Sequence, residues 1–145
     1  MSRQMDPEDL IQVLLKEHTQ IRAELREFQE AVRHGENKKA ASLSLKLRKI
    51  LTQHIAYEDA ELLGFLTRAY GTDGTSDAIE IFHQHKPILE LFEEMVAASS
   101  ASPSDAVAKA ARLTELIRQH TMAEEGRIYP CACSAQETGL LKKQV

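Results

Sequence analysis

Four histidines and two glutamates stand where a helical chain should place apolar side chains: His18, His54, Glu58, His85, His120 and Glu124. Their spacing repeats. His18 precedes His54 by 36 residues and His85 precedes His120 by 35, and each second histidine is followed four places on by a glutamate. Residues four apart share one face of a helix, a turn apart. Each half of the chain therefore brings one histidine on a first helix and a histidine plus a glutamate on a second.

Such a set needs compensation. Two carboxylates buried without partners would be costly, and no Lys or Arg falls on these faces near them. A bound cation is the simplest compensator. Imidazole nitrogen with carboxylate oxygen suits a first-row metal such as iron, manganese or zinc better than calcium or magnesium. Two metals sharing the two glutamates would use all six residues symmetrically. The competing reading is a hydrogen-bonded polar core without metal, which pays a stability penalty wherever a group is left unsatisfied.

The elements that must position these residues read as four amphipathic helices. The first opens at Asp6-Pro7 and carries Ile11, Leu14, His18, Ile21, Leu25, Phe28 and Val32 at alternating steps of three and four, ending near His34-Gly35. The second, from about Asn37 to Tyr70, presents Leu47, Leu51, His54, Glu58, Leu62 and Phe65. After the linker GTDGTSD a third runs from about Ser76 to Ala98, with Ala78, Phe82, His85, Leu89, Phe92 and Val96 on its seam. The fourth starts near Ser104 and presents Ala106, Ala110, Leu113, Ile117, His120 and Glu124. Gly126 and Pro130 are expected to stop it. The expectation is an all-α, up-down-up-down four-helix bundle over residues 1–130, with residues 131–145 as a C-terminal tail.

Composition agrees. The 145 residues are one domain's worth, 43% apolar and 28% charged, with a net charge of -4. No basic run points to nucleic acid or an anionic membrane, and the polar start MSRQMDPEDL shows no signal core, so the expected location is cytoplasmic. Cys131 and Cys133 form no disulfide framework and read as tail thiols.

The pattern H…H-x-x-x-E…H…H-x-x-x-E, closing on HTMAEEGRIYP, resembles the hemerythrin-like (HHE cation-binding) family, over about Asp9 to Pro130. The resemblance implies two non-haem iron ions joined by an oxo or hydroxo bridge, with zinc or manganese as possible substitutes. His18, His54, His85 and His120 would be terminal ligands, and Glu58 and Glu124 bridging ones. The oxygen carriers of the family have a further histidine one turn before the third-helix one, where this chain has Ile81. They often have an aspartate five residues after the last histidine, where it has Glu125. Glu125 thus competes with Glu124 for the bridging role, and the H-x-x-x-E symmetry favours Glu124. His83 lies about 200° round the helix from His85 and should face away. The four-histidine, two-glutamate set is similar instead to bacterial proteins of nitric-oxide stress and iron-centre repair, and to the iron-sensing domain of a ubiquitin ligase subunit.

One ligand fewer leaves an open position for dioxygen, nitric oxide or peroxide. The implied function is a small gas-binding protein rather than an enzyme. The rivals are nitric oxide reduction or peroxide removal at the same centre, and an iron reservoir or sensor. No protein partner is named by any segment. Pro87 should kink the third helix beside His85. Tyr57 reads as a packed core residue, and Asp59, Glu61 and Glu125 as solvated neighbours or supporters of the ligands.

Overall fold

The computed structural model describes residues 6–137. It is built of α1 (Pro7–Arg33), α2 (Asn37–Ala56), a π-helical segment (Tyr57–Leu62), α3 (Leu63–Tyr70), a 3-10 turn (Asp73–Thr75), α4 (Ser76–Phe82), α5 (His85–Ala101), α6 (Pro103–Ala123), a second π-helical segment (Glu124–Ile128) and α7 (Tyr129–Glu137). These pieces make four rods: α1, α2 with α3, α4 with α5, and α6 with α7. Packing joins α1 to α2, α2 to α5, α5 to α6 and α6 back to α1, the ring of an up-down-up-down bundle. The expected fold class holds. Among the described residues no helix is long and apolar enough to cross a membrane.

Helix ends reflect local chemistry. Pro7 occupies the first turn of α1, where its missing N–H costs nothing, and Glu8 and Asp9 complement the positive end of the helix dipole. The first hairpin turns at Gly35, whose φ of +69° an L side chain rarely adopts, and the Glu36 N–H donates to the Ala31 carbonyl at 2.9 Å.

The third rod breaks between Phe82 and His85, as expected beside Pro87. Proline has no N–H for the His83 carbonyl, and the chain instead tightens, with the Gln84 N–H donating three residues back to Ile81 at 3.1 Å. His85 and Phe92 are buried as expected, but Ile88 and Met95 are buried in place of the expected seam residues Leu89 and Val96, which are only partly buried.

Gly126 and Pro130 do not stop the last rod. The π-helical segment carries the chain past Gly126, and Pro130 falls in the first turn of α7, where a missing amide is tolerated. Within the expected tail, Ala132 is fully buried against the core, Cys133 is half-buried and Cys131 is exposed. Residues 138–145 lie outside the described residues.

The buried apolar side chains fall into two clusters. One holds Ile21, Leu25, Phe28, Leu47, Phe92, Met95 and Leu113 among others, and the second holds Leu10, Leu14, Leu62, Phe65, Phe82 and Ile128. Each such side chain stabilises the fold by roughly 1.5–3 kcal/mol through burial. Between the clusters lies a layer of polar groups.

Candidate metal centre

That layer contains His18, His54, Glu58, His85, His120 and Glu124, all buried, with both glutamates at 0% exposure. They form two quartets, His18–His54–Glu58–Glu124 and His85–His120–Glu58–Glu124, and within each the ligand atoms lie within 4.8 Å of one another. Both glutamates belong to both quartets. Individual approaches are short: His18 Nε2 to Glu124 Oε1 at 3.1 Å, His85 Nε2 to Glu58 Oε1 at 2.9 Å, His54 Nε2 to Glu58 Oε1 at 3.4 Å and His120 Nε2 to Glu124 Oε2 at 3.0 Å.

Local backbone places the glutamates. In each H-x-x-x-E stretch the histidine ends an ordinary α-helix and the glutamate lies in a π-helical turn, Tyr57–Leu62 or Glu124–Ile128. A π turn inserts one residue and rotates the side chains beyond it, a device common at functional sites. Glu58 and Glu124 stand at the start of these turns and point to the bundle axis with the histidines four before them, while the next residues, Asp59 and Glu125, reach across to the other half of the chain.

Every histidine is oriented by an oxygen at its far nitrogen. His18 Nδ1 meets Glu125 Oε2 at 2.8 Å, His54 Nδ1 meets Glu17 Oε1 at 3.0 Å, His85 Nδ1 meets Asp59 Oδ1 at 3.0 Å and His120 Nδ1 meets Gln84 Oε1 at 2.8 Å. Carboxylate and amide oxygens only accept, so each Nδ1 carries the proton and donates it. Each Nε2 then presents a bare lone pair to the centre, which is how a metal-binding imidazole is prepared. The supports obey the repeat. The residue before the first histidine of each half (Glu17, Gln84) holds the second histidine of that half. The residue after each glutamate (Asp59, Glu125) holds the first histidine of the other half.

Protonation is governed by burial. Burial, then the neighbouring His54, pushes His18 below the ordinary histidine range, and burial takes His120 down to about 4. Burial also raises Glu124 far above the carboxylate range, with Glu58 adding to the effect. For Glu58 burial pulls upward, but the hydrogen bond with Glu124 and the neighbouring His85 and His54 imidazoles overcome it and hold this carboxyl well below the usual range. Of the two, Glu124 is the carboxyl that holds a proton more readily.

The donor set fits a cation because hydrogen bonding alone leaves it unsatisfied. His54 Nε2, His120 Nε2 and Glu124 Oε2 are buried without a hydrogen-bond partner. His120 Nε2 and Glu124 Oε2 face each other at 3.0 Å. Acceptors crowded in a low-dielectric core repel unless positive charge lies among them. Nitrogen and carboxylate oxygen together match a first-row transition metal. Against the four histidines lies a cavity of about 20 Å³, otherwise bounded mainly by Ile21, Leu51, Ile55, Ile88 and Ile117. It has room for one molecule the size of water.

The remaining expectations sort cleanly. Glu124 lies in the quartets, and Glu125 braces His18 instead. Asp59 is likewise a brace, and Glu61 is half-buried. His83 is exposed, facing away as its helical angle requires, and Ile81 is buried in the apolar cluster. Tyr57 packs partly buried against that cluster. Three polar residues were missed. Glu17 and Gln84 each precede the first histidine of a half, a signal present in the repeat. Tyr129, buried at 3% exposure, directs its hydroxyl into the cluster and donates to Glu58 Oε2 at 2.6 Å. Burial, then the charges of Glu58 and Glu124, holds this phenol far above its ordinary pKa.

The family model described as Hemerythrin HHE cation binding domain matches residues 4–66, which contain His18, His54 and Glu58. The second half supplies the matching His85, His120 and Glu124 to the same cluster. No curated protein and no solved structure matches the chain.

Proposed function

Starting from a hemerythrin-like HHE cation-binding chain, we propose that it holds two iron ions between the six buried side chains and binds dioxygen or nitric oxide beside them. One observation carries this reading: two ligand quartets share Glu58 and Glu124, and all four imidazole lone pairs converge on them. His18 and His54 would hold one ion, His85 and His120 the other, and the two glutamates would span both. Bound there, the iron pair would supply the exchangeable electrons that capture of a diatomic gas requires.

The chain's own groups do the rest. Glu17, Gln84, Asp59 and Glu125 fix the imidazole tautomers, so no rearrangement is needed before a metal enters. Glu124 gives up its proton on loading, which leaves both carboxylates charged towards the ions. The isoleucines and Leu51 exclude water from the cavity beside the histidines, which favours a small apolar gas over a polar ligand.

The test is iron loading, then absorption spectra under nitrogen, oxygen and nitric oxide. Two irons per chain and a spectrum that changes reversibly with gas, without gas consumption, are expected. Steady consumption of nitric oxide or peroxide would assign the centre to an enzyme, and ready transfer of iron to a chelator to a reservoir. No iron uptake would end the reading.

A further inference from the structure

Tyr129 lies outside the six-residue set, yet its hydroxyl sits among the ligand atoms. We propose that the Tyr129 oxygen is a fifth protein donor to the metal held by His18 and His54, so that the two metal positions are chemically unlike. The inference rests on the two-metal reading above.

Spacing is the first argument. A first-row ion makes bonds of about 2.1 Å to nitrogen and oxygen, so donors at right angles on one ion lie about 3.0 Å apart. The Tyr129 hydroxyl lies 2.6 Å from Glu58 Oε2, 3.0 Å from His18 Nε2 and 3.4 Å from Glu124 Oε1. All three belong to the His18–His54 quartet. The oxygen stands where an adjacent ligand of that ion would stand.

Proton placement is the second. The phenol has one hydrogen, which it donates along its shortest contact, to Glu58 Oε2 at 2.6 Å. His18 has its proton on Nδ1, held by Glu125. The 3.0 Å approach of Tyr129 to His18 Nε2 is therefore lone pair against lone pair, in the buried core. Two lone pairs converging from separate rods mark a place for a cation. The phenol ring is kept there by stacking on the His18 imidazole, with centroids 5.5 Å apart and planes 23° from parallel.

The repeat supplies the third. Tyr129 comes five residues after Glu124, and the residue five after Glu58 is Leu63. Leu63 packs partly buried against the apolar cluster and has no donor atom. On the His85 side the stacked ring is Phe82, also without one, at 5.2 Å. A pseudo-symmetric frame thus carries an asymmetric set of donors. The position left open for a small ligand is then on the His85–His120 side.

Resonance Raman spectra of the ferric protein test this, read beside metal content. With ferric ion bound at the oxygen, the phenol proton passes to solvent and the ring modes of a metal-bound tyrosine appear. Tyr129→Phe, which keeps the ring, should abolish those modes while two irons remain. Two irons per wild-type chain with no tyrosine modes would overturn the inference and leave the two-metal reading standing. Fewer than two irons in the wild type would remove that reading and the inference with it. Should the variant fold poorly, the wild-type spectrum alone still decides.

Discussion

Glu17 offers the sharpest test of how the histidines are prepared. It is buried, accepts from His54 Nδ1 at 3.0 Å through one oxygen and takes the Gln53 side-chain amide at 3.0 Å through the other. Glu17→Ala removes the acceptor, and His54 loses both its fixed tautomer and its orientation. A charge-assisted hydrogen bond is worth about 1.5–3 kcal/mol, which at about 1.4 kcal/mol per tenfold is about 10- to 100-fold in metal affinity. Losses of supporting partners at metal sites fall in the same range. Glu17→Gln separates acceptor from charge. Its amide oxygen still accepts from His54, and the exposed Gln53 amide can turn to present its oxygen. The chain has made this substitution itself, since Gln84 does for His120 what Glu17 does for His54. Glu17→Gln should therefore bind metal within a few-fold of the wild type. The assay is competition for metal against a chromophoric chelator, with helix content checked for each variant. An unchanged affinity in folded Glu17→Ala, or an equal loss in both variants, would refute the reasoning.

The same geometry sets three further outcomes. His54→Ala and His120→Ala should each lower metal content and abolish most of the metal-dependent gain in thermal stability, a gain of about 2.7 kcal/mol at 100 times the dissociation constant; unchanged metal content in both would contradict the ligand set. Because Glu124 is raised, metal binding should release a proton from it, read as a dependence of the calorimetric heat on buffer ionisation. Stability of the metal-free protein should fall as pH drops from 6.5 towards 4. There the unfolded chain takes up protons at His18 and His120 that burial resists in the folded one, whose His120 is lowered to about 4, and the raised Glu124 offsets part of this. Below 4.5 the depressed Glu58 adds to the loss, all measured as denaturant midpoints.

Much of this was legible in the sequence because it depends on helix period alone. Every expected seam residue of α1 is buried, and so are Leu47, Leu51, Leu62 and Phe65 on the second rod. The six candidate ligands converge because all lie on those same seams. The hidden features depend on departures from that period or on contacts across rods. Leu89 and Val96 are only partly buried because their neighbours Ile88 and Met95 take the inner positions, and steps of three or four fit either choice equally well. Tyr129 sits five residues beyond Glu124, a step that points inward only in a π turn, and apolar steps of three and four give no sign of one. Glu17 and Gln84 lie about 100° round the helix from the histidines they precede. Their role emerges only when the neighbouring rod brings His54 or His120 alongside.

The central claim is that two metal ions lie between these rods. Anomalous diffraction at the iron edge, from crystals of the iron-loaded chain, tests it most directly. The account predicts two peaks, one among His18, His54, Glu58 and Glu124, the other among His85, His120 and the same two glutamates. Peaks confined to surface carboxylates, or none within the bundle, would contradict it.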